Sequence, residues 1–171
     1  CQEAVARLFA ELPPATGKRF LVVDAGIATK EQFAVATAQD ALLGRLRLNT
    51  KLRCAPAPPS GKPGRPPVHG EVLHPGYDHP EVVPDVERTL PGEAGAIRLR
   101  RWSTLHYEAF PETLLDVVRI DDPAYDVPLI VGSTARDLRL EELWSGYQHR
   151  WPVETNFFVA QDTAAMEMPR A

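Results

Sequence analysis

Cysteine is scarce in this 171-residue chain. Cys1 and Cys54 form no CxxC pair, and no histidine cluster stands beside either. This argues against a disulfide framework and a structural zinc site, and a reducing compartment is expected. Long apolar runs are missing too: nothing approaches the roughly 18 continuous apolar residues of a membrane span, and no signal peptide is read ahead of the first helix. Internal repeats are absent. So is a net positive charge: the formal value is -4, which argues against a uniformly basic nucleic-acid binder. The chain opens on Cys1 instead of Met, so a trimmed chain or a piece of a longer protein is expected.

What is present has the apolar and charged fractions of a globular domain with a sizeable core. Its charge is unevenly placed. Residues 41–70 hold Arg45, Arg47, Lys51, Arg53, Lys62 and Arg65 with no acid, while 71–96 are dominated by Glu71, Asp78, Glu81, Asp85, Glu87 and Glu93. Arg98, Arg100 and Arg101 follow. The pattern predicts a local basic surface on a mildly acidic protein; a merely solvated face is the alternative.

Val5, Leu8, Phe9 and Leu12 recur at helical spacing over residues 2–12, and Pro13-Pro14 stops that helix. Phe20 to Val23 is an unbroken apolar run, suited to a strand buried on both faces. Thr29 predicts an N-cap for a helix over about 30–39. Ala41 to Leu48 then reads as a strand, with Leu42, Leu46 and Leu48 on one face and Arg45 and Arg47 on the other. Strand, helix and strand in that order predict a βαβ unit and an α/β core. Residues 54–91 carry ten of the seventeen prolines, which predicts a long irregular segment. Strand-like composition returns over 96–109, 114–120 and 129–134, and a helical pattern over about 140–163.

Asp24 ends the first apolar strand at a Gly-containing turn. A carboxylate placed there can hold Mg²⁺ or Mn²⁺, or simply cap the turn. Tyr147, Arg150, Glu154 and Gln161, spaced 3, 4 and 7 apart, fall on one helical stripe about 60° wide, although Pro152 bends or divides that helix. A phenol, a guanidinium, a carboxylate and an amide on one stripe suit phosphoryl transfer on a nucleic-acid strand. Glu154 can equally be an ordinary surface residue. His149 has no second ligand at metal spacing and reads as a surface or packed histidine.

Tyr147, Arg150 and Glu154, within the string Trp144-xx-Tyr147-xx-Arg150-Trp151-Pro152-Val153-Glu154, match the Y-x2-R-x3-E-x6-K signature. The chain thereby resembles the DDE-type insertion-sequence transposases over roughly residues 18–162. Asp24, in Val22-Val23-Asp24-Ala25-Gly26, looks like the second Asp of that family's triad. Leu43-Gly44-Arg45-Leu46-Arg47-Leu48-Asn49 resembles its next strand, and Gly64-Arg65-Pro66-Pro67-x-His69-Gly70 a basic stretch common in it. The resemblance implies a ribonuclease H-like mixed sheet flanked by helices. Residues 1–52 would begin that core, 53–125 would form a Pro-rich and β-rich insertion, and 126–171 would bring the Glu-bearing helix.

It further implies cut-and-paste DNA cleavage and strand transfer, with Mg²⁺ (or Mn²⁺) held by Asp24 and Glu154, and Tyr147 and Arg150 positioning the scissile phosphate. Arg45, Arg47, Lys51, Arg53, Lys62 and Arg65 would track the DNA backbone, and Gln161 would contribute a hydrogen-bonding group to DNA. Trp102 would stack on an unpaired base, or belong to the core. The implied partners are double-stranded transposon ends, target DNA and further copies of the protein in a synaptic complex, in the nucleoid-associated cytoplasm of a bacterium and away from membranes. Three departures are visible: the motif's Lys is Gln161, Ile27 stands where an aromatic is frequent, and no Asp lies among residues 1–23. The first triad carboxylate is thus missing, so this chain alone is expected to be inactive. A DNA-binding remnant of a transposase is the alternative. A phosphatase-like use of Asp24 would need an adjacent carboxylate that the sequence lacks.

Overall fold

The computed structural model describes residues 2–11, 18–37, 39–56, 67–79 and 81–148. In chain order these form α1 (Gln2–Glu11), β1 (Arg19–Val23), α2 (Lys30–Ala34), β2 (Asp40–Leu46), β3 (Leu52–Arg53) and β4 (Val72–Leu73). There follow β5 (Val86–Gly92), β6 (Gly95–Tyr107), β7 (Phe110–Asp121), β8 (Leu129–Ser133) and α3 (Leu140–Gln148). The strands make one mixed sheet in the order β1-β2-β8-β7-β6-β3-β4, with β5 also on β6. Among the described residues only β1 and β2 pair in parallel, from Arg19↔Asp40 to Val23↔Gly44. The other pairs are antiparallel.

The βαβ unit forms as the sequence predicts, with α2 ending at Ala34, earlier than expected. Its side chains explain the fit. Gly44 on β2 and Gly132 on β8 are register partners, and the tip of the fully buried Phe33 ring lies 3.4 and 3.3 Å from where their Cβ atoms would be. Two glycines side by side leave a trough, and the ring of α2 fills it. Burying such a side chain stabilises by roughly 1.5–3 kcal/mol.

Around Phe33 lies one apolar layer, with Val5 and Phe9 of α1, Leu42, Leu46, Trp102, Val117 and Ile130. The opposite sheet face carries Leu43, Leu99, Val118, Ile120 and Val131, covered by Leu140, Leu143 and Tyr147 of α3. β2 is thus apolar on both faces, and the predicted basic face is interrupted by Leu43. β1 differs in the other direction. It is an edge strand, only Val23 is buried, and Phe20 is 43% exposed.

The proline-rich stretch is less irregular than predicted, because β3, β4 and β5 lie in or beside it. Pro91 is accommodated because β5 pairs on one side only, and Pro91 stands next to the hairpin end at Gly92↔Gly95. Gly95 takes φ +137° there, a conformation that a side chain would oppose. β6 also carries an irregularity between Trp102 and Leu105, with Thr104 at φ 59°. Two carboxylates hold it: Asp85 accepts from Ser103 N at 2.6 Å, and the buried Asp116 accepts from Thr104 N at 3.4 Å.

Candidate active site

The parallel pair delivers Asp24 to the carboxyl end of β1. Its backbone carbonyl accepts the amides of Ile27 and Ala28, both at 2.9 Å, and the chain folds back over β2. Ala28 is buried so close to β2 that a Cβ at Gly44 would stand 2.6 Å from its own Cβ and 3.0 Å from Val23 Cγ2. Thr29, at φ -92° and ψ 161°, starts α2 as its N-cap, its hydroxyl accepting from Gln32 N at 3.4 Å. The Asp24 side chain is exposed and has no hydrogen-bond or ion-pair partner among the described residues. Its oxygens are open to a hard cation, which fits a Mg²⁺ ligand. It would act as one ligand of a set, since no group of three or more His, Cys, Asp or Glu among the described residues converges as a metal site.

α3 packs across the same sheet, against β7, β8 and β2. Near its end, a Cβ at Gly146 would lie 3.3 Å from Leu43 Cδ2. Leu43 is the register partner of Val22, two residues before Asp24. The helix therefore finishes beside the strand end that carries the carboxylate. Tyr147 points into the sheet: it is 1% exposed, packed with Leu43, Leu140 and Leu143. In this arrangement it anchors the helix and does not present its phenol to a substrate. His149, Arg150, Glu154 and Gln161 lie outside the described residues, as do Lys62 and Arg65.

The remaining basic residues do not share one surface role. Arg47 is exposed. Arg45 is half-buried and lines a small cleft with Trp144, Tyr125, Val127 and Ile120. Arg53 donates to Glu108 at 2.9 and 3.1 Å, and Lys51 stands 3.9 Å from the same carboxylate. That hydrogen bond from Arg53 holds Glu108 below the usual carboxylate range. Trp102 is 5% exposed, and its indole donates to Val82 O at 3.0 Å. Of the two readings open for it, the core position is the one observed; base stacking would require it to leave that core.

Three clusters escaped the sequence reading. Arg101 pairs with the buried Asp116 and donates to Leu138 O at 2.8 Å and Arg136 O at 3.1 Å. His69 Nδ1 meets His106 Nε2 at 2.9 Å. Burial, followed by the neighbouring His69 and Arg53, lowers the His106 pKa. Arg100 and Arg119 share Asp78 and Asp121. The alternation Arg98, Arg100 and Arg119, Asp121 was the available signal for the last, once both segments were read as strands. No family model, curated protein or solved structure matches the chain.

Proposed function

We propose that this chain is part of the catalytic core of a DDE-type DNA transposase with a ribonuclease H-like sheet, in which Asp24 and Glu154 hold a divalent metal ion. One observation carries the reading: the exposed Asp24 ends the one parallel strand pair among the described residues, and α3 finishes against that pair at Leu43. Glu154 follows Gln148 by six residues, a reach of at most about 20 Å from the end of α3. Asp24 and Glu154 would hold the ion, whose chemistry when bound would be Lewis-acid activation of the attacking oxygen and stabilisation of the leaving one. Arg150 binds the scissile phosphate. The exposed Arg47 binds the DNA backbone, with Arg45, Lys51, Arg53, Lys62, Arg65 and Gln161 as the further contacts that the family resemblance implies. Tyr147 acts through the core, fixing α3 on the sheet.

The partners are transposon-end and target DNA, with self-association in a synaptic complex, in the bacterial cytoplasm. Residues 1–23 contain no Asp, so the triad's first carboxylate is not among them. The test is a Mg²⁺- or Mn²⁺-dependent cleavage and strand-transfer assay on the parent protein, with Asp24→Ala and Glu154→Ala. Each substitution should abolish activity while DNA binding persists. Activity retained in either variant overturns the assignment. A parent that binds DNA and never cleaves it is the remnant that Gln161, in place of the motif's Lys, leaves open.

A further inference from the structure

Arg100 on β6 and Arg119 on β7 are direct register partners. Like charges facing each other across two strands destabilise a sheet, and these two are scarcely solvated, with side chains 11% and 9% exposed. Guanidinium groups so placed need anions. One is supplied from within the sheet: Asp121 accepts from Arg100 Nη2 at 2.9 Å and from Arg119 Nε at 2.8 Å. Arg98, on the same strand, takes a different anion, donating to Glu87 at 2.7 and 3.0 Å. The second anion comes from outside the sheet, from Asp78 at the end of the turn His74–Tyr77, and Asp78 is 77% exposed.

Asp78 fits its place poorly. A single oxygen, Oδ1, serves both arginines, 3.0 Å from Arg100 Nη1 and 3.3 Å from Arg119 Nη1. The buried Arg119 Nη1 makes no hydrogen bond to the protein at that distance. A phosphoryl group offers several oxygens with the spread to meet two guanidinium groups at once. Next to Arg119 a cavity of about 420 Å³ opens, lined by Arg98, Arg119, Asp121 and Tyr125. Asp122 and Asp126 on the same cavity wall limit how much further negative charge it can hold, which favours a singly charged phosphodiester over a polyanion.

We propose that Arg100 and Arg119 form a seat for a phosphoryl oxyanion, occupied here by the Asp78 carboxylate as an intramolecular stand-in that a phosphate displaces. The source is a nucleic-acid backbone phosphate or a free phosphate, both presenting the same oxyanion. The seat is independent of the transposase reading, since it involves neither Asp24 nor Glu154. Loss of cleavage in variants of those two leaves it intact.

Removing the stand-in should strengthen binding. Calorimetric titration with inorganic phosphate, and anisotropy with a short labelled single-stranded oligonucleotide, would compare wild type, Asp78→Asn, Asp78→Ser and Asp78→Asn with Arg119→Gln. Loss of an intramolecular competitor predicts affinity about tenfold higher in both Asp78 variants, and its loss again when Arg119 is replaced. A gain with both probes identifies a general phosphate seat, and a gain with the oligonucleotide alone identifies a backbone-phosphate seat. If neither probe binds the Asp78 variants more tightly, if the gain survives Arg119→Gln, or if both variants fail to fold, the Asp78 contact is a structural clasp and the proposal falls.

Discussion

At Gly44 a single methyl group separates two packings. An alanine there would place its Cβ 2.6 Å from Ala28 Cβ, and Ala28 ends the turn that Asp24 begins. Either the turn lifts or β2 shifts. Gly44→Val should destabilise the fold by about 1–3 kcal/mol, as overpacking does, and denaturant unfolding would read it. Asp116 represents the opposite hazard. It is 1% exposed and opposes Arg101, whose side chain is 13% exposed. Asp116→Ala strands a buried guanidinium and should cost about 3–5 kcal/mol. A chemical melt showing less than 1 kcal/mol would mean that Leu138 O and Arg136 O suffice to hold Arg101.

Among the elements, α2 depends most on a single contact. With five residues it is too short to be stable alone, so the Phe33 ring in the Gly44–Gly132 trough must hold it. Phe33→Ala is expected to cost about 3–5 kcal/mol and to loosen the Asp24 turn, visible as faster amide exchange at Ile27 and Ala28, whose N–H groups the Asp24 carbonyl accepts. Thr29→Ala should cost less, about 0.5–1 kcal/mol, since its capping hydrogen bond is long at 3.4 Å. α2 was legible because its signals are local: an N-cap and an apolar run on either side. β5 was not. Its prolines speak against a strand, and only the partner β6, distant in composition and charge, shows that one side of β5 needs no donors.

For the whole molecule, acid is the informative stress. Hydrogen bonds from Arg19, Arg100, Arg98, Arg53 and Lys18 hold Asp40, Asp78, Glu87, Glu108 and Asp137 below their ordinary values. For a carboxylate with a lowered pKa the folded state binds fewer protons than the unfolded one. Its stabilisation is present above the ordinary range near 4 and is lost as pH falls through and below it. His106, lowered chiefly by burial, has the same sign in a higher window: its contribution is complete above about 6.5 and declines as pH falls. Thermal midpoints should therefore drop in two stages between about pH 6.5 and 3. His106→Gln should flatten the upper stage alone, and an unchanged upper slope would assign it to another group.

Sequence alone determined the βαβ unit, the strand end at Asp24 and the amphipathic first helix, because each follows from neighbours within a few residues. Tertiary structure decided the rest. It put the apolar β1 at a sheet edge, turned Tyr147 and Trp102 into core residues, and paired Arg100 with Arg119 across β6 and β7. The physical reason is common to all of these: burial and charge pairing depend on which strands become neighbours. The antiparallel register that joins β2 to β8 is a contact between distant segments that no local pattern encodes.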